Sequence, residues 1–213
     1  MWTEATQLLV WSANQTDYGY ICRMAQKSLQ ERGLAVLSTS RFLLVAVWGT
    51  ALSSISSSQR FQEELDKGTD PANISTFYDM MSTFTSAAMI GTWVITGFWL
   101  KQATEQTLAA GRQTRLSPRW AFWSWIVPVV SLWFPRRMIA DVLPANAENF
   151  KPNELNTWWL TFLGFLIIND YGLVLTLQSA SENPINPQYD IAGACMLTAS
   201  YFVWKKIVAL ISA

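Results

Sequence analysis

Long uncharged stretches alternate with short polar ones along this chain, and a bilayer-spanning helix needs about 20 mostly apolar residues. The first stretch lies between Arg41 and Arg60. Extended back through the apolar residues 33–40, it predicts a span at about 36–57. A second, between Asp79 and Lys101, predicts a span at about 79–100. A third runs only from Trp120 to Pro135, between Arg119 and Arg136, with Pro128 inside it. A fourth, about 155–177, holds one charge, Asp170, and a fifth, about 189–210, starts near Asp190 and passes Lys205 and Lys206. The connectors are polar. Residues 59–78 carry Glu63, Glu64, Asp66 and Asp70, then Pro71; residues 101–118 read as a short helix stopped by Gly111; residues 178–189 form a turn-rich loop without Lys or Arg.

The basic residues select a topology, because Lys and Arg concentrate on the cytoplasmic side. Five crossings from a cytoplasmic N-terminus would divide them almost evenly. If the third segment instead enters and leaves on one side, only Arg60 and Lys67 of the 15 Lys and Arg remain outside. The third segment is also too short to span comfortably, and Pro128 interrupts its backbone ladder. Broken backbone at membrane depth must be covered by protein or a wet cavity. The fold class expected is all-α integral membrane: four transmembrane helices plus one Pro-broken re-entrant or in-plane segment at about 119–135, with both termini cytoplasmic. Residues 1–40 form a cytoplasmic N-terminal segment, in which residues 2–12 suit an interfacial helix or a partner-docking face. Residues 41–213 form the membrane domain.

Composition agrees with lipid contact. Hydrophobic residues make up 51% and charged ones 14%, against roughly 25% charged in soluble domains. The chain has 12 Trp, a residue that favours the membrane–water interface. Its formal net charge is zero, so no global field argues for nucleic acid. It contains no His, which excludes His-ligated metal or haem and Ser-His or Cys-His catalysis. No phosphate-cradling glycine loop is present. Cys22 and Cys195 lie in very different surroundings and predict no disulfide. No cofactor is expected, although pigments or lipids could be held by contact.

Around the third segment the sequence runs Ser117-Pro118-x-Trp120-Ala121, then Trp125-x-x-Pro128, then Leu132-Trp133-x-Pro135. Trp99-Leu100-Lys101 precedes it and Trp158-Trp159 follows. This pattern resembles the bacterial membrane-protein family catalogued as domain of unknown function 4328, over about residues 98–165. Arg136-Arg137 stands where an aromatic would be expected. The resemblance implies a bacterial cytoplasmic (inner) membrane protein and supplies no reaction.

Three groups of residues could carry function. Asn169 and Asp170 form a candidate intramembrane polar site, since ionisable residues in spans are costly and often mark a path. Arg112, Arg115, Arg119, Arg136 and Arg137, with Trp120, Trp123 and Trp133, form a candidate inner face for anionic lipid or a partner. Gly49, Ser53, Ala87 and Gly91 are candidate helix-packing positions, because small residues four apart let backbones approach. The leading expectation is a non-catalytic accessory subunit or assembly and scaffold protein of a larger membrane complex, in contact with the bilayer and with other membrane subunits or further copies of itself. The alternative is a small oligomeric transporter or channel using Asp170. A lipid-modifying enzyme would need a nucleophile or an acid–base pair, and none stands out.

Overall fold

A computed structural model describes residues 2–127, 129–144, 150–178 and 183–213; side chains are described for residues 24–127, 129–144, 150–151, 153–172, 174 and 183–213. Pro128, the side chains of residues 2–12 and that of Cys22 therefore lie outside the described residues. The helices are α1 (Trp2–Asp66), α2 (Phe77–Ala109), α3 (Trp120–Ile126), α4 (Phe134–Val142), α5 (Pro152–Gln178) and α6 (Pro187–Ser212). Short 3₁₀ turns occupy Pro71–Asn73 and Val130–Leu132. No strand occurs among the described residues.

The long helices pack side by side in the order α2, α1, α6, α5, while α3 and α4 pack across α2 and reach α5. Three stretches are long and apolar enough to cross a membrane: Met24–Asp66, Phe77–Ala109 and Pro187–Ser212. The protein is an all-helical membrane protein.

Contacts along the helices define two ends. At one, Gln26 Nε2 donates to the Ser212 carbonyl (3.4 Å), Gln106 Nε2 donates to the Ala25 carbonyl (2.8 Å), and Lys206 pairs with Glu154 (2.7 Å). At the other, Ser58 Oγ donates to the Ile185 carbonyl (3.1 Å) and Tyr78 N donates to Ser57 Oγ (3.2 Å). Arg112 donates to the carbonyls of Asp141 (2.9 Å) and Leu143 (2.7 Å), so the stretch containing α3 and α4 leaves and rejoins the bundle at the first end.

Exposed side chains change character between the ends. In the central band they are large and apolar: Phe42, Val45 and Leu52 on α1, Phe84, Ile90 and Val94 on α2, Leu160 and Ile167 on α5, Phe202 on α6. Near the first end Lys27, Glu31, Arg32, Lys101 and Glu105 are exposed instead. One apolar core lies in the band, around Val47, Ala51, Phe165 and Ala194. A second lies at the first end, where α4 supplies Met138 and Ile139 against Leu29, Val36, Trp99, Trp204 and Ile207.

One sequence expectation needs correction, that of a separate helix after Lys101, while the helix through 40/41 is continuous. Leu29, Gly33, Val36 and Ser40 recur at helical spacing and are buried, so α1 continues through Arg41 with one face on α2 and α6. Residues 101–109 are not a separate short helix but the continuation of α2. Lys101 and Glu105 face outward and pair at 3.7 Å, while Thr104 and Thr107 are buried and satisfy their hydroxyls on the carbonyls of Leu100 and Ala103. Gly111 does stop the helix, at φ 77, a conformation only glycine adopts readily.

Close backbone approach happens at other glycines than those the small-residue spacing suggests. A Cβ on Gly97 would lie 2.6 Å from Phe122 Cδ1, and one on Gly33 would collide with the Ser212 hydroxyl. A Cβ on Gly91 would meet nothing within 4 Å among the described residues beyond its own helix turn. Gly97→Ala should destabilise the protein in detergent by about 1–3 kcal/mol, as overpacking does. Gly91→Ala should be neutral or stabilising by up to about 1 kcal/mol, as in an open helix position. Thermal unfolding of both variants reads the difference, and equal melting temperatures would contradict the α2–α3 packing.

Candidate functional site

The first end is built around tryptophans from three helices. Trp99 of α2 is fully buried; its Nε1 donates to Ser212 Oγ (3.0 Å) and its ring meets Trp204 edge-on at 5.7 Å. Trp204 of α6 stacks on Trp158 of α5 at 5.1 Å and donates to Ser40 Oγ of α1 at 3.2 Å. The chain of rings ties all four long helices together, each aromatic pair adding about 0.5–1.5 kcal/mol beyond its buried area.

The hairpin of α3 and α4 covers this core. Phe122 packs edge-on against Phe98 at 4.7 Å, Trp125 against Phe162 at 5.9 Å, and Trp120 against Phe134 at 5.0 Å. Trp159 Nε1 donates to the Leu132 carbonyl (2.9 Å). Pro135 sits in the first turn of α4, where its missing N–H leaves no intrahelical bond unmade. Val129, at φ 68, takes the left-handed turn between the two helices, which is unusual for a β-branched residue. The outer side of the hairpin is apolar: Trp123, Ile126 and Val129 are each more than half exposed, with 58%, 59% and 62% of their surface accessible. Leu132 and Trp133 are exposed beside them.

The basic residues expected to form one inner face divide into two kinds. Arg112 holds the carbonyls that close the hairpin, Arg115 pairs with Asp141 (2.6 Å), and Arg136 Nε donates to Asn156 Oδ1 (3.0 Å). These three are staples. Arg119 and Arg137 are exposed at either base of the hairpin and make no ion pair among the described residues. Of the aromatics expected there, Trp123 and Trp133 are exposed, while Trp120 is half-buried against Phe134.

The other candidates scatter. Asp170 and Asn169 are exposed near the second end, with Asn169 Nδ2 donating to its own helix at the Phe165 carbonyl (3.2 Å). Ser53 is buried and Gly49 half-buried on the α1 face towards α2, whereas Ala87 and Gly91 face outward. Sequence reading placed Asp190 at the start of the fifth span and gave it no role. It is half-buried in the first turn of α6, accepts from Tyr78 OH at 3.2 Å, and lies beside the Ser54 hydroxyl. The signal that could have found it is the hydroxyl-rich face of α1, Thr50, Ser53, Ser54 and Ser57, which is buried at the same end. Among the described residues no group of three or more His, Cys, Asp or Glu is placed to hold a metal ion.

Asp141 is the acceptor on which the hairpin base depends, taking both the Arg115 backbone N–H (2.9 Å) and its guanidinium Nε (2.7 Å). Asp141→Ala should cost about 1–3 kcal/mol locally, the range for hydrogen bonds to a charged group. Limited proteolysis should then cut residues 112–119 faster while the bundle's melting temperature changes little. Unchanged cleavage would show that the pair does not hold the hairpin.

No curated protein and no solved structure matches the chain. A family described as "Domain of unknown function (DUF4328)" matches residues 69–208, a stretch that extends well beyond the motifs around α3 and takes in α2 through most of α6. By that match the chain belongs to the DUF4328 family.

Proposed function

We propose that this protein is a non-catalytic accessory or scaffold subunit of a bacterial inner-membrane complex, and that the outer face of α2 receives a partner helix. The observation that carries this reading is the outward orientation of Ala87 and Gly91. Small residues four apart allow close helix approach, and a Cβ on Gly91 would meet nothing within 4 Å among the described residues beyond its own helix turn. A bundle using that face internally would have filled the space.

The topology proposed with it has four crossings. α5 has 27 residues and runs along α6, from Glu154 against Lys206 to Phe165 against Gly193, which supports its being the fourth. The α3–α4 hairpin lies in the inner interface, with Trp123, Ile126 and Val129 in lipid and Arg119 and Arg137 among the headgroups. Its support is the apolar outer side flanked by two arginines that make no ion pair among the described residues, and anionic lipid attracts such basic residues by about 1 kcal/mol each. Both termini are then cytoplasmic, with Arg60 and Lys67 the outer basic residues. Asp170 lies on the exposed surface of α5 and not inside the bundle, which does not favour the transport reading.

A mild-detergent pull-down from native membranes with mass spectrometry tests the proposal. The wild-type chain should carry a stoichiometric partner, either another subunit or a second copy. Gly91→Leu should lose at least tenfold of that partner while keeping its own fold. A wild-type chain that isolates as a lone monomer would overturn it.

A further inference from the structure

Positive charge is concentrated on the α3–α4 hairpin and its two bases. Residues 112–141 hold five arginines and a single acid, Asp141, a net charge of +4 in a chain whose formal net charge is zero. Three of the five are engaged: Arg112 on the carbonyls of Asp141 and Leu143, Arg115 on the Asp141 carboxylate, Arg136 on Asn156. Arg119 and Arg137 are exposed and make no ion pair among the described residues. The Trp120–Phe134 ring contact holds the two strands of the hairpin together at 5.0 Å. Arg119 directly precedes Trp120 and Arg137 follows Phe134 by one turn, so the two arginines stand at the same end of the hairpin.

The opposite end is apolar where a turn in water would be polar. Ile126, Val129 and Leu132 are exposed there, with Trp123 and Trp133 beside them. Val129 holds φ 68 and ψ −52, a positive-φ turn position that Gly, Asn or Asp usually fills. A β-branched residue at that position presents methyl groups outward, which suits hydrocarbon. An acidic protein surface could meet the arginines but would leave this apolar end in water. Anionic phospholipid meets both, because its acyl chains suit the turn and its phosphate suits a guanidinium, whose planar fork matches two phosphate oxygens. A zwitterionic headgroup carries its own cation beside the phosphate and competes with the arginines for it.

We propose that the hairpin selects anionic over zwitterionic phospholipid, Arg119 and Arg137 each holding the phosphate of an anionic headgroup while Trp123, Ile126 and Val129 meet its acyl chains. The selection rests on the interfacial placement of the hairpin and is independent of the partner on α2.

The test is photo-crosslinking of the full chain in phosphatidylethanolamine vesicles doped with equal amounts of phosphatidylglycerol and phosphatidylcholine, each carrying a diazirine on one acyl chain. Peptide mass spectrometry separates the two adducts by mass. The ratio of glycerol to choline lipid on residues 119–137 should exceed that on the exposed Phe42, Phe84 and Ile167 by about fivefold per arginine. Arg119→Gln combined with Arg137→Gln should bring the ratio down to that of Phe42, Phe84 and Ile167, with the apolar turn still labelled. Salt at about 1 M should lower the ratio in the wild-type chain, because it screens exposed charge. Hairpin adducts with no preference for the anionic lipid would overturn the selection and leave the placement standing, as would a preference that survives both the double substitution and high salt. A hairpin labelled by neither lipid would overturn the placement and the selection together.

Discussion

The structure depends on a mismatch of lengths. A bilayer's hydrocarbon core is about 30 Å thick, and charges inside it are expensive. α2 alone has 33 residues, which at 1.5 Å each is about 50 Å. Some 20 Å of helix must therefore stand outside the hydrocarbon, still carrying apolar faces that α1 and α6 cover only in part. The α3–α4 hairpin supplies the remaining cover. Met138, Ile139 and Val142 close over Trp99, Leu100 and Ala103, the apolar side of the stretch whose other side shows Lys101 and Glu105 to solvent.

The division into two cores follows. Within the band, small and hydroxylated residues let helices meet closely, and hydroxyls bond back to their own helix or across it, as Thr50 does to the Ala46 carbonyl and to Thr85 Oγ1. Below it, burial resembles a soluble protein's: large aromatics, indoles bonded across helices at Trp99 and Trp204, and ion pairs at the rim. Lys206 with Glu154 and Arg115 with Asp141 sit at that rim. Partly exposed pairs of this kind contribute little as isolated Coulombic terms; Arg115 with Asp141 joins the two bases of the hairpin, and Lys206 with Glu154 joins α6 to α5.

Much of this was legible in the charges. The uncharged runs and the stop at Gly111 have direct physical causes and reappear in the helices, and Arg112 ties the stretch after α2 to the carbonyls of Asp141 and Leu143. The helix end at Lys101 was misjudged for a related reason. A charge ends a membrane span without ending a helix, and an outward-facing Lys101 beside Glu105 suits a solvated helix turn. What pairs with what was not legible. No spacing reveals that Trp204 stacks on Trp158 and meets Trp99 edge-on, because the three lie on different helices. The small-residue spacing was equally blind to direction: Ser53 points inward and Ala87 and Gly91 outward, although both pairs fit the same pattern. That Asp190 turns inward was not legible, because its burial depends on Tyr78, far away in the sequence.

The central claim is that the inner third of α2 and both bases of the hairpin stand on one side of the membrane. Single cysteines replacing Lys67, Lys101, Glu105, Arg119 and Arg137 in a chain otherwise free of cysteine, treated with a membrane-impermeant maleimide from either side, test it directly. The account predicts labelling at 101, 105, 119 and 137 from the cytoplasmic side only, and at 67 from the opposite side only. Labelling of 119 and 137 from opposite sides, or protection of 101 and 105 from both, would contradict it.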